Sequence, residues 1–274
     1  MGRVGPLLAL ALAMVALDGP AAAADPLAGI SDVVSEPLAG GRHVRLVTAH
    51  GPVHAWIPGD YRSERAGIAL YVHGYFTDVD RAFTEHKLAE QFRKSGRNAL
   101  FIVPEAPAGG NQVVAFADLD DLVLQVREAL AIARPWGPVV AMVHSGGYRT
   151  ARAWLDCPNL DQVILLDALY GDEEAFSRFV HRPSKSLVVV GADTLRWTEP
   201  FEREARRDLT VRALDQLPGD PAHIDLAARA APVLYLRAQF THMDLVESDK
   251  AIPILFAASR LGPVFARPSD AVAR

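Results

Sequence analysis

Six apolar runs recur between residues 68 and 237, and they constrain the fold more than any other feature of the chain. Each run is short and rich in β-branched or aromatic residues, which is typical of strands buried on both faces. Polar stretches of helical periodicity separate the runs. Strands that alternate with helices in this way predict a mostly parallel sheet covered by helices on both faces. The runs read IALYVH, ALFIVP, VVAMVH, QVILLD, SLVVVG and PVLYLR.

Two further strands precede these runs, at residues 43–50 (HVRLVTAH) and 51–58 (GPVHAWIP). The turn between them predicts an N-terminal antiparallel hairpin, and the whole sheet then has about eight strands. Helices are predicted between the strands, the first ending at a C-terminal glycine and the second before a proline. These helical stretches cover residues 81–96, 117–134, 147–155, 173–180 and 199–207.

The chain opens with the features of a secretory signal peptide. Arg3 precedes an apolar core at residues 7–17, and small residues follow. This pattern predicts a signal peptide over residues 1–24, cut near Ala23 or Ala24, and a secreted or periplasmic protein. The apolar core is too short to span a bilayer, and no later run is long enough, so no transmembrane segment is expected after cleavage. Residues 25–274 are expected to form a single domain, with a loose C-terminal tail from about residue 262.

Composition excludes several classes of function. The formal net charge is -5 and the basic residues are scattered, which argues against a nucleic-acid partner. Cys157 is the only cysteine, so the domain has no intramolecular disulfide. No pair of histidines or cysteines has zinc spacing and no glycine-rich phosphate loop is present, so neither a metal nor a cofactor is expected.

Residues with side chains that could take part in catalysis follow several of the apolar runs. In an open α/β sheet, ligand-binding groups collect at the carboxyl ends of the strands. Ser145 follows VVAMVH and Asp167 ends QVILLD; Asp193 follows SLVVVG and His242 follows PVLYLR. The order along the chain is therefore serine, acid, histidine.

This arrangement resembles the α/β-hydrolase family over nearly all of the mature chain. That family carries a G-x-S-x-G turn after its fifth strand, an oxyanion-binding segment after the third, and a histidine after the eighth. Counting the hairpin as strands one and two, Ser145 follows strand five and His242 follows strand eight. The motif departs from the family pattern at Val143, where glycine is usual, so the turn must fit differently there.

The resemblance implies an α/β-hydrolase fold in which Ser145 is the nucleophile and His242 the base. A serine that merely caps the following helix is the alternative for Ser145. The acid stays open between Asp193, at the commonest family position, and Asp167, at the known alternative position. A carboxylate that ends so apolar a run needs a partner, which favours some role for Asp167. The short connection between strands six and seven predicts little or no lid.

An acyl-transfer site also needs two N–H donors for the oxyanion. The resemblance implies that one is Gly146, directly after the nucleophile. The other is expected from the loop that follows His73 and Gly74, at Tyr75 or Phe76. Tyr170 and Trp197 fall in strand-end loops and either line a substrate pocket or belong to the core.

Together these expectations describe an exported serine hydrolase that cleaves a carboxylic ester through an acyl-enzyme. The substrate is a small-molecule or polymeric acyl compound. A serine, a histidine and an acid do not decide the leaving group, so an amidase or peptidase with the same residues is an alternative. A noncatalytic binding protein on the same fold is a second alternative, and it is favoured if Ser145 points into the core.

Overall fold

The computed structural model describes residues 29–264 of the 274-residue chain. The signal peptide expected at residues 1–24 lies outside the described residues. The first residues of the expected tail pair with the body of the protein: Asn98 N donates to Gly262 O and Val264 N donates to Gly96 O, both at 2.9 Å. The expectation of a loose tail therefore concerns only residues 265–274, which also lie outside the described residues.

The core of the fold is a sheet of ten strands in the order β1-β2-β3-β5-β4-β6-β7-β8-β10-β9. Strands β1, β2, β3 and β5 pair antiparallel, and all pairs from β5 onward are parallel. The expected N-terminal hairpin and mostly parallel sheet are therefore confirmed. The strands are β1 (Ile30–Leu38), β2 (Gly41–Thr48), β3 (Gly51–Pro58), β4 (Gly67–Val72), β5 (Ala99–Pro104), β6 (Val139–His144), β7 (Leu160–Leu166), β8 (Ser186–Gly191), β9 (Val211–Leu214) and β10 (Val233–Arg237).

The count of about eight strands was wrong, because the sheet has ten. All eight expected strands are present, and the two additional ones, β1 and β9, lie at the two edges of the sheet. Strand β1 is exposed along most of its length and β9 has only four residues. Edge strands of this kind need no buried face, so they leave neither an apolar run nor an alternating pattern in the sequence.

Nine helices in the described residues cover both faces of the sheet. The buried side chains of α3 to α6 join one apolar cluster, and those of α1, α2, α7, α8 and α9 join the cluster on the opposite face. The connection from β7 to β8 holds one eight-residue helix, α5, in keeping with little or no lid. No helix within residues 29–264 is long and apolar enough to cross a membrane. The helices are α1 (Val79–Glu85), α2 (Leu88–Lys94), α3 (Leu119–Ala129), α4 (Tyr148–Trp154), α5 (Glu173–Val180), α6 (Leu195–Ala205), α7 (Leu226–Ala230), α8 (Asp244–Glu247) and α9 (Ala251–Ala258).

The helix expected over residues 81–96 is broken into α1 and α2. Lys87 adopts a left-handed backbone conformation, with φ 49°, which ends the first helix. The Gln91 side chain donates from Nε2 to the carbonyl oxygens of His86 and Val246, both at 2.7 Å, and so holds the break in place. Apolar spacing continues through the break, so the sequence alone does not reveal it. The break turns the His86 side chain inward, against the sheet.

Candidate active site

Ser145 lies on a strained turn between β6 and α4. Its φ is 50°, a left-handed conformation that few residues other than glycine adopt. A short 3₁₀ turn, Ser145–Gly147, leads from it into the helix. A Cβ at Gly147 would lie 2.8 Å from His73 O and 2.9 Å from Val72 O, so only glycine fits this close approach to β4.

Val143 fits as an ordinary strand residue. Its side chain is fully buried in the apolar cluster on the α3 to α6 face, and its neighbours in the adjacent strands are Val72 and Leu165. The close approach to the neighbouring backbone therefore occurs after the serine, at Gly147. The valine at position 143, where the α/β-hydrolase pattern has glycine, does not distort β6, since the strand remains regular up to His144.

His242 and Asp167 are in direct contact. His242 Nδ1 donates to Asp167 Oδ2 at 2.6 Å, and the Asp167 side chain is fully buried. Burial alone raises the pKa of this carboxyl, but hydrogen bonds from His242, Thr194 and backbone amides outweigh it and hold the pKa below its ordinary value. Asp167 is therefore ionised beside the imidazole that it orients.

The loop after β8 completes the surroundings of the Asp167 carboxylate. Oδ1 accepts from Ala192 N at 2.8 Å and from Thr194 N and Oγ1 at 2.9 and 2.5 Å. Asp193 contributes its backbone N–H, which donates to Asp167 Oδ2 at 3.1 Å, while its own side chain is exposed. Of the two candidate acids, Asp167 is the one whose carboxylate is hydrogen-bonded to His242.

Asp167, Asp193 and His242 also form the one group of potential metal ligands found among residues 29–264, with ligand atoms within 4.8 Å of one another. Both Asp167 oxygens already accept hydrogen bonds from N–H and O–H groups. A cation would meet the positive ends of those dipoles. The donor set favours a carboxylate that orients a histidine over one that binds a metal.

Of the two expected loop donors for the oxyanion, Phe76 is already engaged, because its N–H donates to Ala108 O at 2.9 Å. The Gly74 carbonyl accepts from His73 Nδ1 at 2.7 Å, and in a trans peptide the C=O and N–H groups point in opposite directions. The Tyr75 N–H therefore points away from the His73 ring. A Cβ on Gly74 would lie 2.7 Å from Ser145 Cβ, so this peptide passes directly beside the serine.

Glu105 holds both ends of the same loop. Its Oε1 lies 2.9 Å from His73 Nε2, and its Oε2 accepts from Val79 N at 3.2 Å, at the start of α1. His73 is completely buried. Sequence reasoning did not single out Glu105, since it lies 32 residues from His73 and no local motif joins them.

A cavity of about 650 Å³ opens over Ser145. Tyr170 lines it, and burial raises the pKa of this phenol. Trp197 lies outside this lining and packs edge-on against Tyr170, with ring centroids 5.3 Å apart. The lining residues include Gly74, Tyr75, Phe76, His86, His144, Ser145, Gly146, Tyr148, Tyr170, His242 and Met243.

His144 packs against the candidate base. The two ring centroids are 4.5 Å apart, and His144 Nε2 donates to the His242 carbonyl oxygen at 3.2 Å. Burial lowers the pKa of His144 to about 3, so this imidazole is neutral at physiological pH. The side chain before the serine therefore helps to position the backbone of His242.

No family model and no curated protein matches the sequence. Solved structures match at low identity. An S-formylglutathione hydrolase from Agrobacterium tumefaciens is 10% identical, with 85% of this chain and 100% of that chain covered and a TM-score of 0.54. A feruloyl esterase module from Clostridium thermocellum is 13% identical, with 83% and 95% covered and a TM-score of 0.55. At these identities the similarity concerns the fold, and the chain has the α/β-hydrolase fold.

Proposed function

We propose that the protein is a serine hydrolase of the carboxylesterase type, with Ser145 as nucleophile, His242 as base and Asp167 as the acid. The observation that carries this proposal is the 2.6 Å hydrogen bond between the buried Asp167 and His242, which lines the same cavity as Ser145. Because Nδ1 donates to Asp167, Nε2 of the neutral ring is left to accept a proton.

In the proposed reaction, Ser145 Oγ attacks the ester carbonyl carbon while its proton moves to His242 Nε2. The N–H groups of Gly146 and Tyr75 stabilise the negative charge on the carbonyl oxygen. When the C–O bond to the alcohol breaks, His242 returns the proton to the departing oxygen and the acyl group stays on Ser145. A water molecule then attacks the acyl carbonyl carbon while His242 takes the proton of the water. The bond to Ser145 Oγ breaks, His242 returns the proton to that oxygen, and the carboxylic acid is released.

Three observations support an ester as the substrate and an enzyme as the function. Solved structures with this fold include feruloyl esterases, whose names describe ester cleavage. The cavity volume of about 650 Å³ is in the range of small-molecule sites and suits the acyl part of a small or polymeric substrate. Ser145 is partly exposed and lines that cavity, whereas a noncatalytic protein was expected to point this serine into the core. An amidase or peptidase remains the second candidate, since the same groups serve both leaving groups.

Labelling with a fluorophosphonate probe tests the proposal. We expect stoichiometric modification of the wild type at Ser145, with none in Ser145→Ala and little in His242→Ala. The exposed His181, whose Nδ1 donates to Ser177 O, supplies the matched control His181→Ala, which should label fully. Folded wild-type protein that takes up no probe contradicts the proposal.

We also propose, from the N-terminal sequence, that the protein acts in the periplasm or outside the cell. N-terminal sequencing of protein recovered from an expressing cell's envelope and medium tests this. A mature chain that begins near residue 24 or 25 supports export, and a full-length chain confined to the cytoplasm contradicts it.

A further inference from the structure

Two imidazoles outside the proposed triad form part of the cavity wall. His86 and His144 are only 6% and 3% exposed, yet both line the cavity. Buried polar atoms are normally hydrogen-bonded, but within residues 29–264 each ring has a partner for only one of its nitrogens. The other nitrogens, His86 Nε2 and His144 Nδ1, are not fully enclosed, and both residues line the cavity.

The hydrogen-bond partners decide which nitrogen of His86 carries its proton. Tyr71 is completely buried, and its hydroxyl lies 3.3 Å from His86 Nδ1. Burial raises the pKa of Tyr71 and lowers that of His86, so the phenol keeps its hydrogen and the imidazole is neutral. The phenol hydrogen needs an acceptor, so Tyr71 donates to Nδ1. His86 Nε2 therefore carries the ring hydrogen and is a hydrogen-bond donor.

His144 has the opposite arrangement. Its Nε2 faces the His242 carbonyl oxygen, which only accepts, so Nε2 carries the hydrogen. Since the ring is neutral, Nδ1 is a bare acceptor. A Cβ built on Gly74 would lie 3.3 Å from both His144 Nδ1 and Ser145 Oγ, so this acceptor and the proposed nucleophile lie on the same side of the Gly74 peptide.

We propose that His86 and His144 recognise an uncharged hydroxyl group of the substrate near its ester carbonyl. The substrate class is then an ester of a hydroxylated acid or of a polyol. This inference rests on the proposed esterase function. A hydroxyl both donates and accepts, which complements His144 Nδ1 and His86 Nε2. A plain alkyl group would leave both nitrogens desolvated and unpaired, and sites of this kind discriminate strongly against the analogue that lacks the hydroxyl.

The charges at the cavity rim favour a neutral group over an anion. Arg81 pairs with Glu85 at 3.3 Å, and the exposed Glu247 adds a further negative charge to the lining. A substrate carboxylate would meet Glu247 at the rim and the bare Nδ1 of His144 inside. An uncharged hydroxyl is not repelled by Glu247, and it can donate a hydrogen bond to His144 Nδ1.

Matched ester pairs test the inference and show which side of the ester carries the hydroxyl. The acyl pair is p-nitrophenyl 3-hydroxybutyrate and p-nitrophenyl butyrate, and the alcohol pair is 2,3-dihydroxypropyl butyrate and propyl butyrate. We expect the wild type to prefer the hydroxylated member of at least one pair by tenfold or more in kcat/KM. In His86→Phe this ratio should fall to about one, while His181→Phe should keep it.

His86→Gln provides a second variant that retains a donor in place of Nε2, and it should preserve much of the preference. Fluorophosphonate labelling of each variant shows that its site is assembled. Equal turnover of both members of both pairs by the wild type overturns the inference alone, as does a preference that survives in labelled His86→Phe. Wild-type protein that neither labels nor cleaves any of the four esters overturns the proposed function as well.

Discussion

At the scale of single residues, the choice between Asp167 and Asp193 depends on a few backbone angles. Both follow neighbouring parallel strands, β7 and β8. Asp167 has a left-handed φ of 47° and its carboxylate is enclosed by amides of the next loop, while Asp193 supplies one of those amides and its side chain stays exposed. A sequence shows that an acid follows each strand, but not which carboxylate the chain turns toward the histidine.

The two acids are separated by matched substitutions. We expect Asp167→Asn to lower kcat/KM for p-nitrophenyl esters by about 10³- to 10⁴-fold, because the amide no longer stabilises the imidazolium or selects its tautomer. Asp193→Asn keeps the backbone N–H and should stay within about fivefold of the wild type. The reverse order of effects in the two steady-state assays contradicts the assignment of Asp167.

Glu105 should act as a positioning residue for the Tyr75 N–H. In Glu105→Gln the negative charge is lost and one carboxylate oxygen becomes an NH₂ group, which changes the contacts with His73 and Val79. We expect kcat to fall by about tenfold to a hundredfold with a smaller change in KM, because the lost interaction serves the transition state. The exposed Glu204 supplies the control, and Glu204→Gln should leave both constants unchanged. A change in KM alone would count against this role.

At the scale of elements, the turn from β6 into α4 is built on contacts with β4. Gly147 passes against the carbonyl oxygens of Val72 and His73, and Gly74 passes against Ser145. The elements that hold the proposed nucleophile and the proposed oxyanion donor are therefore in close contact. The break between α1 and α2 belongs to the same scale, since it directs His86 to the cavity wall instead of continuing one helix.

Gly147→Ala should disrupt this turn. The new Cβ would lie within 3 Å of two backbone oxygens that cannot move cheaply, so we expect a loss of about 1–3 kcal/mol in the free energy of unfolding and a large loss of probe labelling. Gly110→Ala is the matched control, because nothing lies within 4 Å of its Cβ. Chemical denaturation and labelling of both variants check this. Wild-type behaviour of Gly147→Ala would show that the backbone contact is not required.

At the scale of the whole molecule, two apolar clusters, one on each face of the sheet, hold the domain together. Several polar groups are buried with them, among them His144, which directly precedes the proposed nucleophile. A neutral histidine that is buried in the folded state links the stability of the whole domain to pH.

His144 should make the protein less stable in mild acid. Its pKa is about 3 in the folded state and 6.5 ordinarily, so below pH 6.5 the unfolded chain binds a proton that the folded chain does not. The stability that is present above pH 6.5 is lost as the pH falls toward 3, by about 2 kcal/mol at pH 5. His144→Gln keeps a donor for the His242 carbonyl but does not titrate. Urea unfolding near neutral pH and near pH 5 should show a loss about 2 kcal/mol smaller in this variant, and equal losses contradict the assignment.

The sequence by itself determined the eight inner strands and the placement of Ser145 and His242 at strand ends. Burial on both faces forces continuous apolar runs, and a parallel sheet brings the carboxyl ends of its strands to one edge, so both features can be read locally. Only the tertiary structure decided the edge strands, the break at Lys87, the choice of Asp167 and the engagement of the Phe76 N–H by Ala108. Each of these depends on contacts between segments distant in the chain, such as Asp167 with the loop at residues 192–194, and such contacts leave no periodic pattern in the sequence.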